Sequence, residues 1–461
     1  MTASGRDRAI EDSLLRPVFE TGRGVWITVG LLVAVIAYGG YQWLLQLQDG
    51  MVIAGMNQPV YWGLYITNYV FFIGISHAGT LISAILRLTD AEWRRPITRA
   101  AEGITVFALL MGSSNVLWHL GRPELIYVPL LYPQPLSPLI WDVACISVYL
   151  LGSITYLYLP LIPDLAILRD RSPRLRWFYR LLALGWQGTS RQHQLLERAI
   201  GVMAVAIIPI AVSVHTVVSW VFAMSLVPMW HSAIFGPYFV VGAIFSGIAA
   251  LLIAMAILRK TFHLEAFFRP IHFNNLGLLM LTMACLWFYF TFAEHITVWY
   301  GNEPDEIAVL NARLYGPFST AFWSMITCCF VIPLGILSFK RTRTVIGTVV
   351  ASCAVVIGMW LERYIIVISS ASYPRSETMW DGGVYTPSLV EISLTAAEFA
   401  AFVLLFIVFA KLFPLVSIWE IKEGDERDID AVTDILELCL LYTSDAADEG
   451  LGVDLGGRRI I

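Results

Sequence analysis

The chain has 461 residues, of which 57 % are hydrophobic and 14 % are charged, and its mean hydropathy is +0.69. This composition excludes a water-soluble globular protein and indicates an integral membrane protein. The formal net charge of −5 says little by itself, because the position of the charges matters more than their sum in a membrane protein.

Ten apolar stretches are long enough to cross a membrane as α-helices, for which about 20 residues are needed. The sequence therefore predicts an all-α integral membrane protein. We expect no cleavable signal peptide, because residues 1–24 are polar and carry four arginines. The predicted spans cover residues 25–47, 60–88, 97–120, 138–162, 196–225, 232–258, 272–298, 317–340, 344–369 and 389–413.

Basic residues are distributed unevenly over the predicted loops. If the N-terminus is cytoplasmic, seventeen lysine and arginine residues lie in or beside the inward loops and three in the outward loops. Such an excess marks the cytoplasmic side of membrane proteins. Both termini are thus predicted to be cytoplasmic, with segments 1–24 and 416–438 flanking a transmembrane domain of residues 25–415.

A weak internal repeat relates the second and sixth spans. The second begins with Gly63-Leu64-Tyr65 and ends with the string ILRLT at residues 85–89. The sixth begins with Gly236-Pro237-Tyr238 and ends with the string ILRKT at residues 257–261. Four helices separate the copies, so both run in the same direction. The repeat predicts two parallel-related four-helix bundles, about 60–225 and 232–369, with the first and tenth spans flanking them.

Titratable residues inside membrane spans are energetically costly and are therefore candidates for function. Most of them here lie near the predicted outer ends of their spans. A structural role is an alternative for each, and an acid at the start of a helix is also favoured by the helix dipole. The outer group comprises His119, Asp142, His215, Glu294, His295, Glu362, Arg363 and Glu391.

Histidines and carboxylates at one depth suit the oxidation of a quinol, which loses protons as it loses electrons. A haem b-bearing membrane anchor is an alternative, since two of the outer histidines could ligate one haem. A secondary transporter is another, which the parallel repeat permits. In the inner half, His77 and Glu102 are candidates for a proton path, although a lone buried histidine is often only a packing residue.

Three strings carry a family resemblance: HLGRPE at residues 119–124, SPLIWDVACISVYLLGSITYLYLPLIPDLAILRD at 137–170 and LERYIIVISS at 361–370. They resemble the NrfD/polysulphide reductase family of membrane subunits. More closely, they resemble the quinol-site subunit (ActC) of alternative complex III. The resemblance covers roughly residues 12 to 425.

The resemblance implies a subunit of a respiratory or photosynthetic oxidoreductase in the bacterial inner membrane, with quinol or quinone as its substrate. It implies that this chain carries no haem or metal, and that iron–sulphur clusters and haems belong to partner subunits. The implied partners are a periplasmic iron–sulphur subunit, a multihaem cytochrome c and a homologous NrfD-like membrane subunit. Membrane lipid surrounds such a subunit, and no nucleic acid is expected.

The resemblance also implies roles for individual residues. His119 and Asp142 match the family's quinol-site histidine and aspartate, and Arg363 resembles its intramembrane arginine. Arg122 is a candidate partner for a carboxylate of the pocket or of a neighbouring subunit. Proton conduction has been proposed for the family, and His77 and Glu102 would fit such a path.

The C-terminal stretch CLLYTSDAADEGLGVDLGGRRII, residues 439–461, differs in character from the rest of the chain. It resembles the translation of a transposase adapter followed by a flow-cell oligonucleotide. We interpret these residues as a sequencing artefact and assign them no function. Amplification of the source DNA across the Leu438 codon tests this interpretation.

Overall fold

The structure, a computed structural model, describes residues 3–373 and 385–424. The predicted all-α fold with ten apolar helices is confirmed. We number these helices α1 to α10. Their bounds are α1 Arg23–Asp49, α2 Leu64–Leu88, α3 Thr98–His119, α4 Pro138–Arg171, α5 Ser190–Ala223, α6 Phe235–Thr261, α7 Pro270–Gly301, α8 Ser319–Leu337, α9 Val345–Ser369 and α10 Leu389–Leu412.

Several helices are longer than the predicted spans. Helix α4 continues beyond residue 162 through a 3₁₀ turn at Leu159–Leu161, and α5 begins at Ser190 rather than at residue 196. A capping box between Thr189 and Gln192 fixes this earlier start. Hydropathy marks only the apolar part of a helix, so the more polar turns at its ends were missed.

The helices α2 to α9 form two closed rings of four. In the first ring α2 packs on α3, α3 on α4, α4 on α5 and α5 on α2; the second ring repeats this order with α6 to α9. Helix α6 joins the rings by packing on α2 and α5. Two bundles related by duplication, at about 60–225 and 232–369, stay a prediction.

Close packing between α2 and α3 depends on a glycine. A Cβ atom at Gly79 would collide with the backbone of Ala101 and with the side chain of Thr105. Small residues bring membrane helices together in this way, because dispersion and polar contacts replace the hydrophobic effect in lipid. Thr105 in turn donates a hydrogen bond of 2.7 Å to the Ser76 carbonyl of α2.

Helix α10 contacts segments from both ends of the described chain. It packs on α1 and α3, and a helix at Ala3–Phe19 packs against the C-terminal end of α10. The chain after α10 folds back on α3 and α4, where the buried pair Arg99 and Asp164 binds it: Asp164 accepts hydrogen bonds from the backbone of Ile418 and Trp419, at 3.0 and 3.2 Å. Residues 425–438 and the interpreted artefact at 439–461 lie outside the described residues.

Helix α9 ends in a π-helical segment, Ile365–Ser369. A π turn widens the helix and leaves carbonyl groups without their usual partners, and such segments are frequent at functional sites. The carbonyl of Ile366 accepts a 2.6 Å hydrogen bond from the Trp230 indole. The segment therefore anchors the loop between α5 and α6 to the C-terminal end of α9.

Candidate functional site

Asp142 is buried in the first turns of α4, where only 8 % of the residue is exposed. The Tyr69 hydroxyl of α2 donates a hydrogen bond to its Oδ2. Its Oδ1 is buried and has no hydrogen-bond partner among the described residues. A buried carboxylate oxygen without a partner is costly, which indicates a position where a ligand or water completes the contact.

His119 is the last residue of α3, which packs beside α4. The residue is half-buried, and its Nδ1 is a second buried atom without a partner in the described part of the chain. Gly121 then adopts a left-handed conformation with φ +63°, and Pro123 starts a short 3₁₀ helix, so the chain turns away from α3. Arg122 is exposed at this turn.

A buried glutamate next to this site was missed by the sequence reasoning. Glu398 of α10 is 4 % exposed and accepts hydrogen bonds from the Trp118 indole at 2.7 Å and from the Asn68 amide at 3.1 Å. Trp360 of α9 donates to the other side of Asn68, at 3.0 Å. The network fixes Trp118, and therefore the backbone position of His119, against α2, α9 and α10.

Glu294, His295 and Glu362 lie together in the second ring. They line a cavity of about 10 Å³ between α7 and α9, which has room for about one water molecule. Glu294 accepts a 2.6 Å hydrogen bond from Ser232. Nδ1 of His295 donates to the Thr291 carbonyl at 2.7 Å, and Nε2 is buried with no partner among the described residues.

Arg313 also lines this cavity. In the sequence it is one of the three basic residues of the predicted outward loops, and it was not a candidate site residue. It lies in a helix at Pro304–Leu314 that folds back onto α9. Burial lowers the pKa of Arg313 to about 10, and its guanidinium donates to the hydroxyls of Ser369 and Ser370 at 2.8 and 3.0 Å. The charge therefore stays in place at neutral pH and faces the cavity that Glu294 also lines.

Glu362 and Arg363 form a buried ion pair on α9, with 2.6 Å between Oε2 and Nη1. The Trp287 indole donates to the other carboxylate oxygen at 2.6 Å. The guanidinium lies 4.7 Å from the centre of the Phe239 ring, a cation–π contact. Helix α6 passes close to the guanidinium at Gly242, where a Cβ would be 2.9 Å from Nη2.

His77 lies near the middle of α2 and contacts His215 of α5, with 4.2 Å between the ring centres. Its Nε2 is 2.6 Å from the Ala211 carbonyl and its Nδ1 is 2.9 Å from the Ile73 carbonyl. In a neutral ring only one of these nitrogens can donate. Both nitrogens of His215 are buried without a partner in the part of the chain that the structure describes.

Glu102 is buried near the N-terminal end of α3 and accepts a 2.7 Å hydrogen bond from Ser83 of α2. The Tyr156 hydroxyl of α4 lies 3.3 Å from the same serine. Glu391, in contrast, caps its own helix: it accepts from the backbone of Gly55 at 2.7 Å and of Ser388 at 3.0 Å. The helix-start role that the sequence allowed for Glu391 accounts for its geometry.

The fold and these intramembrane acids and bases define a multi-pass helical membrane protein with polar centres buried inside its bundles. The model of the polysulphide reductase NrfD family matches residues 52–375, more than half of the chain. The chain belongs to this family, as the sequence resemblance implied.

Three curated relatives match nearly end to end. A putative membrane subunit of a dimethyl sulfoxide reductase from Halobacterium salinarum is 28 % identical over 87 % of this chain and 94 % of its own length. A selenate reductase subunit from Mesobacillus selenatarsenatis is 25 % identical over 85 % of this chain and 94 % of its own length. The integral membrane subunit of an Hdr-like menaquinol oxidoreductase from Archaeoglobus fulgidus is 23 % identical over 86 % of this chain and 95 % of its own length. The relatives are thus named as subunits of redox enzymes.

Proposed function

We propose that this chain is the quinol-oxidising membrane subunit of a multi-subunit oxidoreductase. The observation that carries the proposal is a pair of buried atoms at the ends of two neighbouring helices, Asp142 Oδ1 and His119 Nδ1, neither of which has a hydrogen-bond partner among the described residues. A quinol presents two hydroxyl groups that each need a hydrogen-bond acceptor. A carboxylate oxygen and a neutral imidazole nitrogen are the acceptors that such a ligand requires.

The chemistry follows from these two groups. Oxidation of a quinol to a quinone releases two electrons and two protons. In our proposal Asp142 Oδ1 accepts one proton and His119 Nδ1 the other, and both pass to the outer side. The electrons go to an iron–sulphur cluster held by a partner subunit on the periplasmic side. The Tyr69 hydroxyl holds the Asp142 side chain in the orientation that receives the proton.

The cavity in the second ring is a less suitable quinol site. Its volume of about 10 Å³ admits a water molecule but not a six-membered ring. Asp142 and His119, in contrast, lie beside the outward loop between α3 and α4, which presents a large exposed apolar surface. Its most exposed side chains are Leu130, Leu131, Tyr132 and Leu136, between 64 % and 90 % exposed.

An exposed apolar surface of this kind favours a partner subunit or the membrane interface. We propose that the loop docks the iron–sulphur subunit directly above the quinol. One relative is named a menaquinol oxidoreductase subunit, and two are named subunits of reductases, which supports both a quinol substrate and a partner that uses the electrons. Assignment to alternative complex III, with a multihaem cytochrome c and a second NrfD-like subunit, is the more specific form of this proposal.

Proton translocation is a second element of the proposal. Buried groups form a series from the Glu362–Arg363 pair through the adjacent rings of His77 and His215 to Glu102 near the inner end. Tyr149 extends the series from His77, with its ring centre 5.1 Å from that of the histidine and its hydroxyl 3.4 Å from Thr80. Such a series offers proton-carrying groups across most of the membrane.

The test is quinol-dependent electron transfer by the assembled complex, with decylubiquinol and menadiol as donors. Replacement of Asp142 by Asn removes the proton acceptor but keeps the shape, and we expect activity to fall about 100-fold or more. Asp170→Asn, an exposed change at the inner end of α4, is the matched control. Unchanged activity of an intact Asp142→Asn complex would overturn the proposed site and move the search to Glu294, His295 and Glu362.

A further inference from the structure

A large apolar groove lies on the lipid-facing side of the molecule, away from the proposed quinol site. It runs between the start of α1, helix α6 and helix α10, and has a volume of about 790 Å³. The groove exists because α1 stands apart from the bundles. Apolar side chains of α1 such as Trp26, Ile27 and Leu31 are each more than 60 % exposed.

The length of the groove along the helices is close to the hydrocarbon thickness of one leaflet. On α6 it extends from Ala250 to Thr261, and on α10 from Phe399 to Lys411. At a rise of about 1.5 Å per residue these stretches are roughly 17 and 18 Å long. One half of the hydrocarbon core of a bilayer is about 15 Å thick. The groove therefore has the length of an acyl chain that starts at the inner interface and ends near the membrane centre.

Polarity is distributed along the groove as it is along a phospholipid. The deep lining consists of apolar side chains, including Phe72 and Ile75 of α2 and Phe399 of α10. The charged lining residues lie at the predicted cytoplasmic rim, where Arg16, Glu20 and Lys411 meet. Two further basic residues, Arg259 and Lys260, are in the last turn of α6 at the same end.

Hydrogen bonds to backbone carbonyls hold the ammonium group of Lys411 at the rim. Nζ of Lys411 donates to the carbonyls of Pro17 and Glu20, both at 2.7 Å, and so ties the end of the Ala3–Phe19 helix to α10. An ammonium group has three N–H donors, so one remains for a further acceptor. Nε of Arg16 donates to Glu20 at 2.7 Å, which leaves the outer nitrogens of its guanidinium available.

We propose that this groove binds an anionic phospholipid of the cytoplasmic leaflet, with an acyl chain along α6 and α10 and its phosphate at Lys411 and Arg16. Basic pockets between membrane helices on the cytoplasmic side bind anionic headgroups in this way. A quinone fits the groove less well, because Thr28 is the one polar side chain away from the rim among the described lining residues, and its hydroxyl already donates to the Gly24 carbonyl. The bound lipid fills the space that separates α1 from α6.

The experiment uses two photoreactive lipids in proteoliposomes of the purified complex. Phosphatidylglycerol and phosphatidylcholine carry the same diazirine near the end of one acyl chain, and labelled residues are mapped by mass spectrometry. We expect the phosphatidylglycerol probe to label Ile253, Phe399 and Phe402 at the deep end of the groove. Lys411→Gln should lower this labelling about fivefold, because one basic residue near an anionic lipid contributes about that factor.

A second pair of variants separates filling of the groove from loss of charge. Gly24 lines the groove and Gly30 does not, and a Cβ at either position would meet no atom within 4 Å. We expect Gly24→Phe to abolish labelling at Ile253 and Phe402, and Gly30→Phe to leave it unchanged. Quinol oxidation should be normal in both, since neither position touches the proposed quinol site, so failure of the lipid proposal is distinguishable from failure of the proposed function.

Four outcomes would overturn the lipid proposal. Equal labelling of the groove and of the exposed face of α1 would indicate only a lipid annulus. Equal labelling by the two probes would remove the role of the basic rim. Displacement of the probe by excess menaquinone would identify a quinone as the occupant. Labelling that occurs in the isolated protein but not in the complex would show that a helix of a partner protein fills the groove.

Discussion

Tyr69 of α2 donates a hydrogen bond to Oδ2 of Asp142 on α4, and this contact crosses the interior of the first ring. The tyrosine is 6 % exposed and the aspartate 8 %, so water does not replace the bond easily. Because the bond occupies one carboxylate oxygen, it determines which oxygen faces the proposed quinol. Tyr69 is therefore a positioning residue in our proposal, and Asp142 is the group that receives the proton.

We expect Tyr69→Phe to lower the kcat of quinol oxidation about tenfold, which is less than the loss in Asp142→Asn, because the proton acceptor is still present. The shape of the pH–rate profile should change as well, since the hydrogen bond to the acceptor is lost. Tyr158→Phe removes a hydroxyl whose hydrogen bond within the described residues goes to the Leu182 carbonyl, and provides the matched control. A Tyr69→Phe complex with unchanged kcat and pH profile would show that the contact is only structural.

Glu398 gives a prediction about both stability and substrate binding. Glu398→Ala leaves the Trp118 indole and an Asn68 amide hydrogen without acceptors inside the protein. We expect a loss of about 1–3 kcal/mol in the free energy of unfolding, measured by thermal unfolding in detergent. The KM for quinol should rise because Trp118 precedes His119 in the chain. Ser393→Ala on the same helix should change neither quantity, since the hydrogen bond of its hydroxyl in the described part of the chain goes to the Leu389 carbonyl of its own helix.

The ten helices could be predicted because lipid imposes a simple rule: every span must be apolar and about 20 residues long. The buried acids could be predicted only in part. Asp142 and Glu391 were found at the starts of spans. Glu398 follows Glu391 by seven residues, or two helical turns, and this spacing places both on the same face of α10. That signal was present in the sequence and was not used.

Other site residues could not be inferred from hydropathy. Arg313 belongs to a polar loop in the sequence, yet the Pro304–Leu314 helix folds back and buries its guanidinium in the second ring. Tyr69 looks like an ordinary aromatic residue of a span until its neighbours are known. Contacts between helices depend on which helix faces pack together, and a single sequence determines these faces at few positions. The division of the outer group into Asp142 and His119 in the first ring and Glu294, His295 and Glu362 in the second is therefore a structural result.

The buried pair of Arg99 and Asp164 gives a prediction about stability alone. The two side chains are 1 % and 0 % exposed, and Asp164 also holds the chain that follows α10. Removal of one partner from a buried ion pair leaves an uncompensated charge, so Asp164→Asn should lower the free energy of unfolding by about 3–5 kcal/mol. The exposed pair formed by Arg169 and Asp170 is the control, and Asp170→Asn should leave the unfolding midpoint unchanged. Equal midpoints for the two variants would contradict the proposed anchoring.

Glu420 predicts how this anchoring depends on pH. Burial by itself raises the pKa of Glu420, but the charges of Arg87 and Arg94 outweigh burial, and the pKa lies below its ordinary value. A carboxyl with a depressed pKa in the folded state contributes its stability in full above the pKa of the unfolded chain, about 4.3, and loses it as the pH falls through the folded pKa. We therefore expect the unfolding midpoint in detergent to be insensitive to this group between pH 5 and 7, to within about 1 °C, and to fall below about pH 4.

Glu420→Gln should lower the midpoint at neutral pH and flatten the decline in acid, so that the two proteins become equally stable at the lowest pH. The matched control is Glu124→Gln in the outward turn, which should follow the wild-type curve at every pH. Curves for wild type and Glu420→Gln that stay parallel down to about pH 3 would show that the carboxylate charge contributes nothing. The hydrogen bond of 2.6 Å from the Arg95 guanidinium to the Glu420 backbone carbonyl would then hold this segment instead.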